Sequence, residues 1–293
     1  MIKRTKGECI FNIFNWVLLG IIGLVCLYPM IYVLFASLSD SNLLMAHEGL
    51  LLKPLGFSFS SYKKVIENPM ILLGYKNTLF ILVVGLIVNM TLTTLAAYFL
   101  SRKNVLFKNP IMALILFTMY FSGGLIPTYM IVRSLGLDDT LWSLILPGAV
   151  STYNIIIMRT GFVAVPESLH EAATIDGANE ASILVRIYLP LVKATMAVIV
   201  LYYAVGHWNS WFNAAIYLNT RDKFPLQLVL REILISNDVS SMNNAAGSAS
   251  DSESVAMSIR YATIMVATLP ILVVYPFLQK YFVGGVMIGS VKG

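Results

Sequence analysis

Six stretches of this chain run without Asp, Glu, Lys or Arg for long enough to cross a hydrocarbon core: 9–39, 77–101, 109–132, 140–158, 194–220 and 261–279. A spanning helix needs about 17–25 predominantly apolar residues. Lipid offers no hydrogen bonds to the backbone, so only helices and closed barrels cross it. Barrel strands would alternate in polarity over about ten residues, whereas these runs are continuously apolar. The pattern predicts an all-α integral membrane protein with six transmembrane helices, at about 11–38, 77–101, 109–132, 140–159, 190–218 and 260–282. Residues 1–10 then form a short N-terminal segment, 11–284 the membrane domain and 285–293 a tail.

Composition agrees with lipid as the solvent. Of 293 residues, 58% are hydrophobic and 12% charged, against about 25% charged in ordinary soluble domains. The formal charge of +5 sits in short loops between apolar runs, with no basic stripe and no nucleic-acid-binding module, so nucleic acid is not an expected partner. Lys3, Arg4 and Lys6 precede the first apolar run, as in a secretory signal. That run is 31 residues long, however, and a signal core has about 7–15; it reads as an uncleaved first span. Cys9 and Cys26 are about 25 Å apart along such a helix, too far to bridge. With no His nearby, they read as small apolar fillers.

Orientation follows from the basic residues that flank the spans. Arg102, Lys103 and Lys108 lie tightly between the second and third runs. With the N-terminus in the cytoplasm, six spans return the C-terminus to the same side. The stretch around Glu171 is then cytoplasmic. The longer loops, about 40–72 and 221–258, face outward, and the Ser- and Asn-rich part of the second is expected to be irregular. The location predicted is a bacterial plasma membrane, crossed several times.

The loop 161–190 is the most polar segment held between two spans. Pro166 suits a first helical position. Glu167 and Glu171 fall in the opening turns, where carboxylates favour a helix N-terminus. A short helix through Leu169, Ala172, Ala173 and Asp176 is expected, then a turn at Gly177, where a side chain would be resisted. A second helix is expected over Glu180–Tyr188. Ala172, Ala173 and Ala178 make a low-relief surface, and Glu171 offers a carboxylate to a partner's cation. A helix lying on anionic lipid would carry Lys and Arg on its polar face; this one carries Glu167, Glu171 and Asp176.

The spacing Glu171-Ala172-Ala173, Gly177, Ile187-x-Leu189-Pro190 resembles the EAA loop of the membrane subunits of ATP-binding-cassette importers. Pro166-Glu167-Ser168-Leu169-x-Glu171-Ala172-Ala173-x-Ile175-Asp176-Gly177-Ala178 extends the resemblance to the maltose-transporter class over residues 73–293. Within it the chain is most similar to permeases for oligosaccharide and polysaccharide uptake in Gram-positive bacteria, and Gly285–Gly293 fits that subgroup. The resemblance implies a permease subunit of a carbohydrate importer that forms half of the translocation path. It implies that the loop is a helix-turn-helix coupling element docking an ATPase through Glu171, Ala172, Ala173, Asp176, Gly177 and Ala178. The tail residues Gly289, Ser290, Val291 and Lys292 would reach the same ATPase. The implied partners are a second, non-identical permease, two ATP-binding subunits and an extracellular sugar-binding lipoprotein. No Gly-x-x-x-x-Gly-Lys-Ser/Thr loop occurs, so ATP would be used by a partner and no cofactor held by this chain.

Two alternatives stand beside this one. An ion-coupled carrier acting alone would place charges inside its spans; only His207 lies deep in one, and a structural hydrogen bond accounts for such a residue. A membrane scaffold that transports nothing is the other. For a sugar path, Trp208, Asn209, Trp211 and Asn213 at the end of the fifth run are the candidates. Helical spacing would put Asn209 and Asn213 on one face, and rings and amides suit sugar C–H faces and hydroxyls. The competing assignment is an aromatic belt with helix-packing amides.

Overall fold

The computed structural model describes residues 6–103, 105–244 and 257–276. Among these residues the secondary structure is helical, and the chain divides into two compact units, 1–69 with 230–269 and 70–229 with 270–293. The residues Gly289, Ser290, Val291 and Lys292 lie outside the described part.

In the first unit, α1 (Lys6–Ser37) carries an unbroken apolar length from Ile10 to Ser37. Its far end is built to hold a loop. Ser39 Oγ donates to the Phe35 carbonyl at 2.7 Å and accepts from the Leu55 amide at 3.0 Å. Asp40 caps α2 (Ser41–Met45) by accepting from the Asn42 and Leu43 amides. Ala36, Leu44 and Leu51 are buried together, with Tyr32 and Tyr261 packed edge to face at 5.9 Å. The outward loop expected at about 40–72 is thus folded, and includes α3 (Ser60–Glu67).

The second unit is organised by α4 (Pro69–Ser101), which starts eight residues before the expected span and buries Asn77, Asn89, Thr93 and Ala97 along its length. Polar residues on a spanning helix must find partners inside the protein. Asn77 donates to the carbonyls of Asp222 and Phe224, Thr93 pairs with the Tyr203 hydroxyl, and Thr78 accepts from the Leu226 amide.

Among the described residues, six continuous spans do not appear. Three unbroken helices of the described residues are long and apolar enough to cross a membrane, Ile10–Ser37, α4 and Met257–Pro276, and the number rises to five when each of two bent pairs is counted as one span. The expected span 109–132 is α5 (Lys108–Tyr120) and α6 (Leu125–Ser134), bent by 115° at a break. α5 closes at an extended Phe121, and Gly124, at φ +87° in the N-cap of α6, takes a conformation that a side chain would resist. The expected span 140–159 is a tight turn at Leu141–Leu144 followed by α7 (Thr152–Val163). Pro147 and Gly148 lie between them, and twelve residues rise only about 18 Å.

The loop helices α8 (Glu167–Ile175) and α9 (Glu180–Ile183) precede a π-helical turn at Leu184–Tyr188 and a last short turn, α10 (Leu189–Leu191). The expected span 190–218 is a helix, α11 (Lys193–Trp208), bent 86° from the segment Glu180–Leu191 before it and broken after it, with α12 at Phe212–Tyr217. The outward loop expected over 221–258 contains a 19-residue helix, α13 (Leu226–Asn244), and the helix Met257–Pro276 is α14. Apolar Leu226, Leu228 and Val229 are buried at the start of α13, which overrides the polar run that follows.

The connection between α6 and α7 is tied to the one after α12 by a single carboxylate. Asp139, at φ +50°, accepts from the Asn219 and Thr220 amides, the Thr220 hydroxyl at 2.6 Å and the Lys223 ammonium at 2.7 Å. The Lys223 ammonium and these hydrogen bonds hold its carboxyl far below the usual carboxylate range. A lowered folded-state pKa stabilises above the unfolded value, about 3.9, and the benefit disappears as pH falls through the folded value. Asp139→Asn is therefore expected to lower detergent-solubilised stability by about 2 kcal/mol between pH 5 and 8. The difference from wild type should shrink below about pH 4. A thermal melt of both proteins across pH 3–8 checks this, and a gap that does not narrow at all between pH 5 and pH 3 speaks against the clamp.

Candidate functional site: the loop between α7 and α11

Pro166 stands at the N-cap of α8, one position before the place expected for it. The helix ends as its sequence dictates. Gly177, at φ +80°, donates to the Thr174 carbonyl at 3.0 Å, and Ala178 donates to the Ala173 carbonyl at 2.9 Å. These two bonds form a Schellman closure, with Gly177 at the left-handed position that a Cβ disfavours. Asn179 then caps α9 by accepting from the Ser182 amide at 2.8 Å. This cap went unread in the sequence, although Asn followed by Glu is a helix-start signal.

The two faces of α8 differ in chemistry. Ser168, Glu171, Ala172 and Ile175 follow the i, i+3, i+4, i+7 stripe of one helix face, and all four are exposed. Ile175 is 85% exposed, and Glu171 and Asp176 make no ion pair or side-chain hydrogen bond with the described residues. The remaining loop acids are engaged. Glu167 faces the Arg102 guanidinium at 3.4 Å, and Glu180 accepts from the Tyr98 hydroxyl at 2.5 Å and lies 3.1 Å from the His170 ring. The hydrogen bond from Tyr98 leads the causes that lower the Glu180 pKa, with His170 adding to it against the opposing effect of burial.

Arg102 is the centre of this inner face. It donates to the Tyr188 hydroxyl at 2.6 Å and lies over the rings of Tyr188 and Tyr98, at 4.8 and 5.4 Å from their centroids. Beneath it Tyr98, Phe162 and Tyr188 pack edge to face around a triangle of 5.3–5.8 Å. Phe162 and Tyr188 are fully buried. Edge-to-face aromatic pairs and a cation over a ring are each worth about 0.5–1.5 kcal/mol beyond burial. Ala173 and Ala178, expected on the open surface, pack instead against this buried cluster. Their smallness lets α8 sit close to the bundle, and Ala172 is left as the small residue on the outward stripe. Arg102 and Tyr188 had no local signal, because they meet across 86 residues of chain.

The four residues expected to line a sugar path separate. α11 ends at Trp208 and α12 begins at Phe212, so Asn209 and Asn213 share no helix face, nor do Trp208 and Trp211. Trp208 is buried and packs edge to face on Tyr75 at 6.4 Å. Asn209 caps the end of α11, and Trp211 lies edge to face with Phe212 at 5.5 Å. Asn213 lines a cavity of about 590 Å³, with Tyr153, Tyr202 and His207. His207 Nε2 lies 2.7 Å from Asn89 Oδ1, the structural hydrogen bond expected of it.

Residues 69–288 match the family described as the inner membrane component of binding-protein-dependent transport systems. Protein LplC of Bacillus subtilis is 41% identical over 99% of this chain and 97% of its own length. A polygalacturonan/rhamnogalacturonan transport system permease protein of the same organism, YtcP, is 40% identical over 97% of this chain and 99% of its own. Among solved structures, a bacterial ABC transporter involved in importing the acidic polysaccharide alginate superposes with a TM-score of 0.86 at 32% identity, over 96% of this chain and 100% of the other.

Proposed function

The chain belongs to the family of inner membrane components of binding-protein-dependent transport systems, and from that premise we propose that it is a permease subunit of an ATP-driven importer of oligosaccharide. The substrate class is supported by relatives named for polygalacturonan, rhamnogalacturonan and arabinooligosaccharide transport. In this reading six membrane crossings leave both termini in the cytoplasm, the bent and broken helices serving as crossings alongside the straight ones.

The observation that carries the coupling is the outward stripe of α8. An unneutralised carboxylate at Glu171 stands beside Ala172 and a nearly fully exposed Ile175. Burying an isoleucine is worth about 1.5–3 kcal/mol, and a solitary carboxylate beside it selects a partner with a cation. An ATPase subunit with an apolar cleft and an Arg or Lys is the fitting occupant. Asp176 and Gly177 shape the end of that surface, Ala173 and Ala178 seat it on the bundle, and Gly289, Ser290, Val291 and Lys292 give a second contact. ATP-driven closure of two such subunits displaces α8. The π-helical turn and the 86° bend carry that displacement into α11, so the path alternates between its two openings. A second permease completes the path, and an extracellular sugar-binding lipoprotein delivers substrate toward the end of α11, where Asn209, Trp211 and Asn213 are exposed.

Reconstitution of the permease pair with its ATPase and binding protein in proteoliposomes tests this. Oligosaccharide uptake is expected to require ATP inside and loaded binding protein outside, and to ignore a protonophore. Uptake that collapses with the proton gradient and proceeds without ATP would establish the ion-coupled carrier instead.

A further inference from the structure

The cavity beside α11 is built with more care than packing requires. Asn89, fully buried on α4, donates both amide hydrogens, to the carbonyls of Gly148 at 3.0 Å and Ala149 at 2.8 Å. Its oxygen is therefore the acceptor in the 2.7 Å contact with His207, and Nε2 carries the hydrogen. One turn earlier on the same face stands Gly85, where a Cβ would come within 2.5 Å of that same nitrogen. Gly85 and Asn89 together hold the imidazole in one position and one tautomer. Nδ1 is left as the ring's uncommitted polar atom among the described residues.

The remaining walls combine aromatic rings and amides with Leu144, Ser151, Ser210 and two glycines. Tyr153 and Tyr202 stand with centroids 6.0 Å apart, and Asn154 and Asn213 lie nearby. Tyr203 is fixed between the Thr93 hydroxyl and the Ser151 amide. Among the described residues, no Asp, Glu, Lys or Arg lines the space. Tyr202 is nine residues beyond Lys193, about 14 Å along α11 and hence near half the depth of a hydrocarbon core of about 30 Å. The volume of about 590 Å³ falls among small-ligand pockets, about 300–1,000 Å³. An uncharged, polar, ring-lined space at that depth is costly to leave empty of hydrogen-bonding partners.

We infer that this cavity is a saccharide subsite contributed by this chain itself, in which Tyr153 and Tyr202 take the C–H face of a sugar ring while His207 and Asn213 bond its hydroxyls. A hydroxyl both donates and accepts, so it satisfies Nδ1 and an amide alike, which a carboxylate does not. The cavity accordingly reads ring faces and hydroxyls and leaves any acidic groups of the substrate to other surfaces. This assignment rests on the carbohydrate reading above.

The test uses the complete importer in proteoliposomes with saturating loaded binding protein, and reads saccharide moved per ATP hydrolysed. Tyr202→Ala and Asn213→Ala remove exposed side chains and are each expected to lower that ratio about three- to tenfold. His207→Gln, which keeps a donor toward Asn89 and deletes Nδ1, should do the same. An unchanged ratio in all three variants overturns the subsite. So does loss of the second permease from the purified Tyr202→Ala and Asn213→Ala complexes, which would make the cavity a seat for that subunit's side chains. Should the wild-type importer move no saccharide at all, the carbohydrate reading itself fails, a result these variants cannot imitate.

Discussion

Glu171→Lys is expected to release the ATPase subunits while leaving the permease folded in the membrane. The side chain is exposed and engages no described residue of its own chain, so α8 loses only the small benefit of a carboxylate near its N-terminus. Across a docked interface the change is large. Exposed ion pairs are worth about 0.2–1 kcal/mol, but losing one partner of a desolvated interfacial pair costs about 2–5 kcal/mol, and reversing its charge adds repulsion. Association should weaken about thirtyfold or more, and uptake should fall with it. Co-purification of the ATPase with the variant permease pair, followed by uptake in proteoliposomes, checks both. Normal association and normal uptake would remove Glu171 from the interface. Because Ile175 shares its face, Ile175→Ser should weaken association by a smaller factor, and the two losses should combine.

Arg102→Met is expected to leave the outward stripe chemically intact and loosen its mounting. The substitution keeps an unbranched apolar stem over Tyr98 and Tyr188 but removes the donors to Tyr188 and Glu167. The Arg102 side chain is only 12% exposed, so the orphaned hydroxyl and carboxylate bear much of their desolvation cost. Lys103, 4.0 Å from Glu167, recovers part of it. About 2 kcal/mol of local stability should be lost, and backbone amides of α8 should exchange about thirtyfold faster, with α4 amides little affected. Sugar moved per ATP hydrolysed should drop, because a loosely mounted helix yields before the bundle does. Unchanged exchange over 167–175 would show that the aromatic triangle alone holds the helix.

The contrast between these two positions shows what could be read from the residues. Glu171, Gly177 and the limits of α8 were visible because their information is local: an acidic first turn, a glycine one residue beyond the last helical turn, and a polar insert between apolar runs. The inner face was not visible. Arg102, Tyr98 and Tyr188 look, in sequence, like a basic flank and two span-end aromatics, and only the folded bundle brings them to 5 Å. The same reason explains the alanines. Spacing alone did not say which of Ala172, Ala173 and Ala178 face outward, since that depends on what packs behind the helix.

The spans divide in the same way. Charge-free runs predicted membrane residence but not continuity, because a run such as 109–132 is apolar whether or not Gly123-Gly124 breaks it. At the end of α11 the spacing of Asn209 and Asn213 suggested one face, and the helix stops between them. His207 was correctly expected to be hydrogen-bonded, yet its partner lies 118 residues away. The features that separation in sequence concealed are the ones that give the loop its mounting and the cavity its fixed ring.

The break between α5 and α6 bears on how the chain is made in the cell. The amides of Ser122, Gly123 and Gly124 donate to no described residue, and the whole turn is exposed on this chain. At hydrocarbon depth each such group costs several kcal/mol unless protein or water covers it. A copy synthesised without the second permease proposed above would be expected to carry that defect into the bilayer and offer quality-control proteases an irregular backbone to grip. In the two-permease assembly proposed above, production of the two chains is therefore expected to be matched in amount and timing, with the kinked turn covered only once they pair.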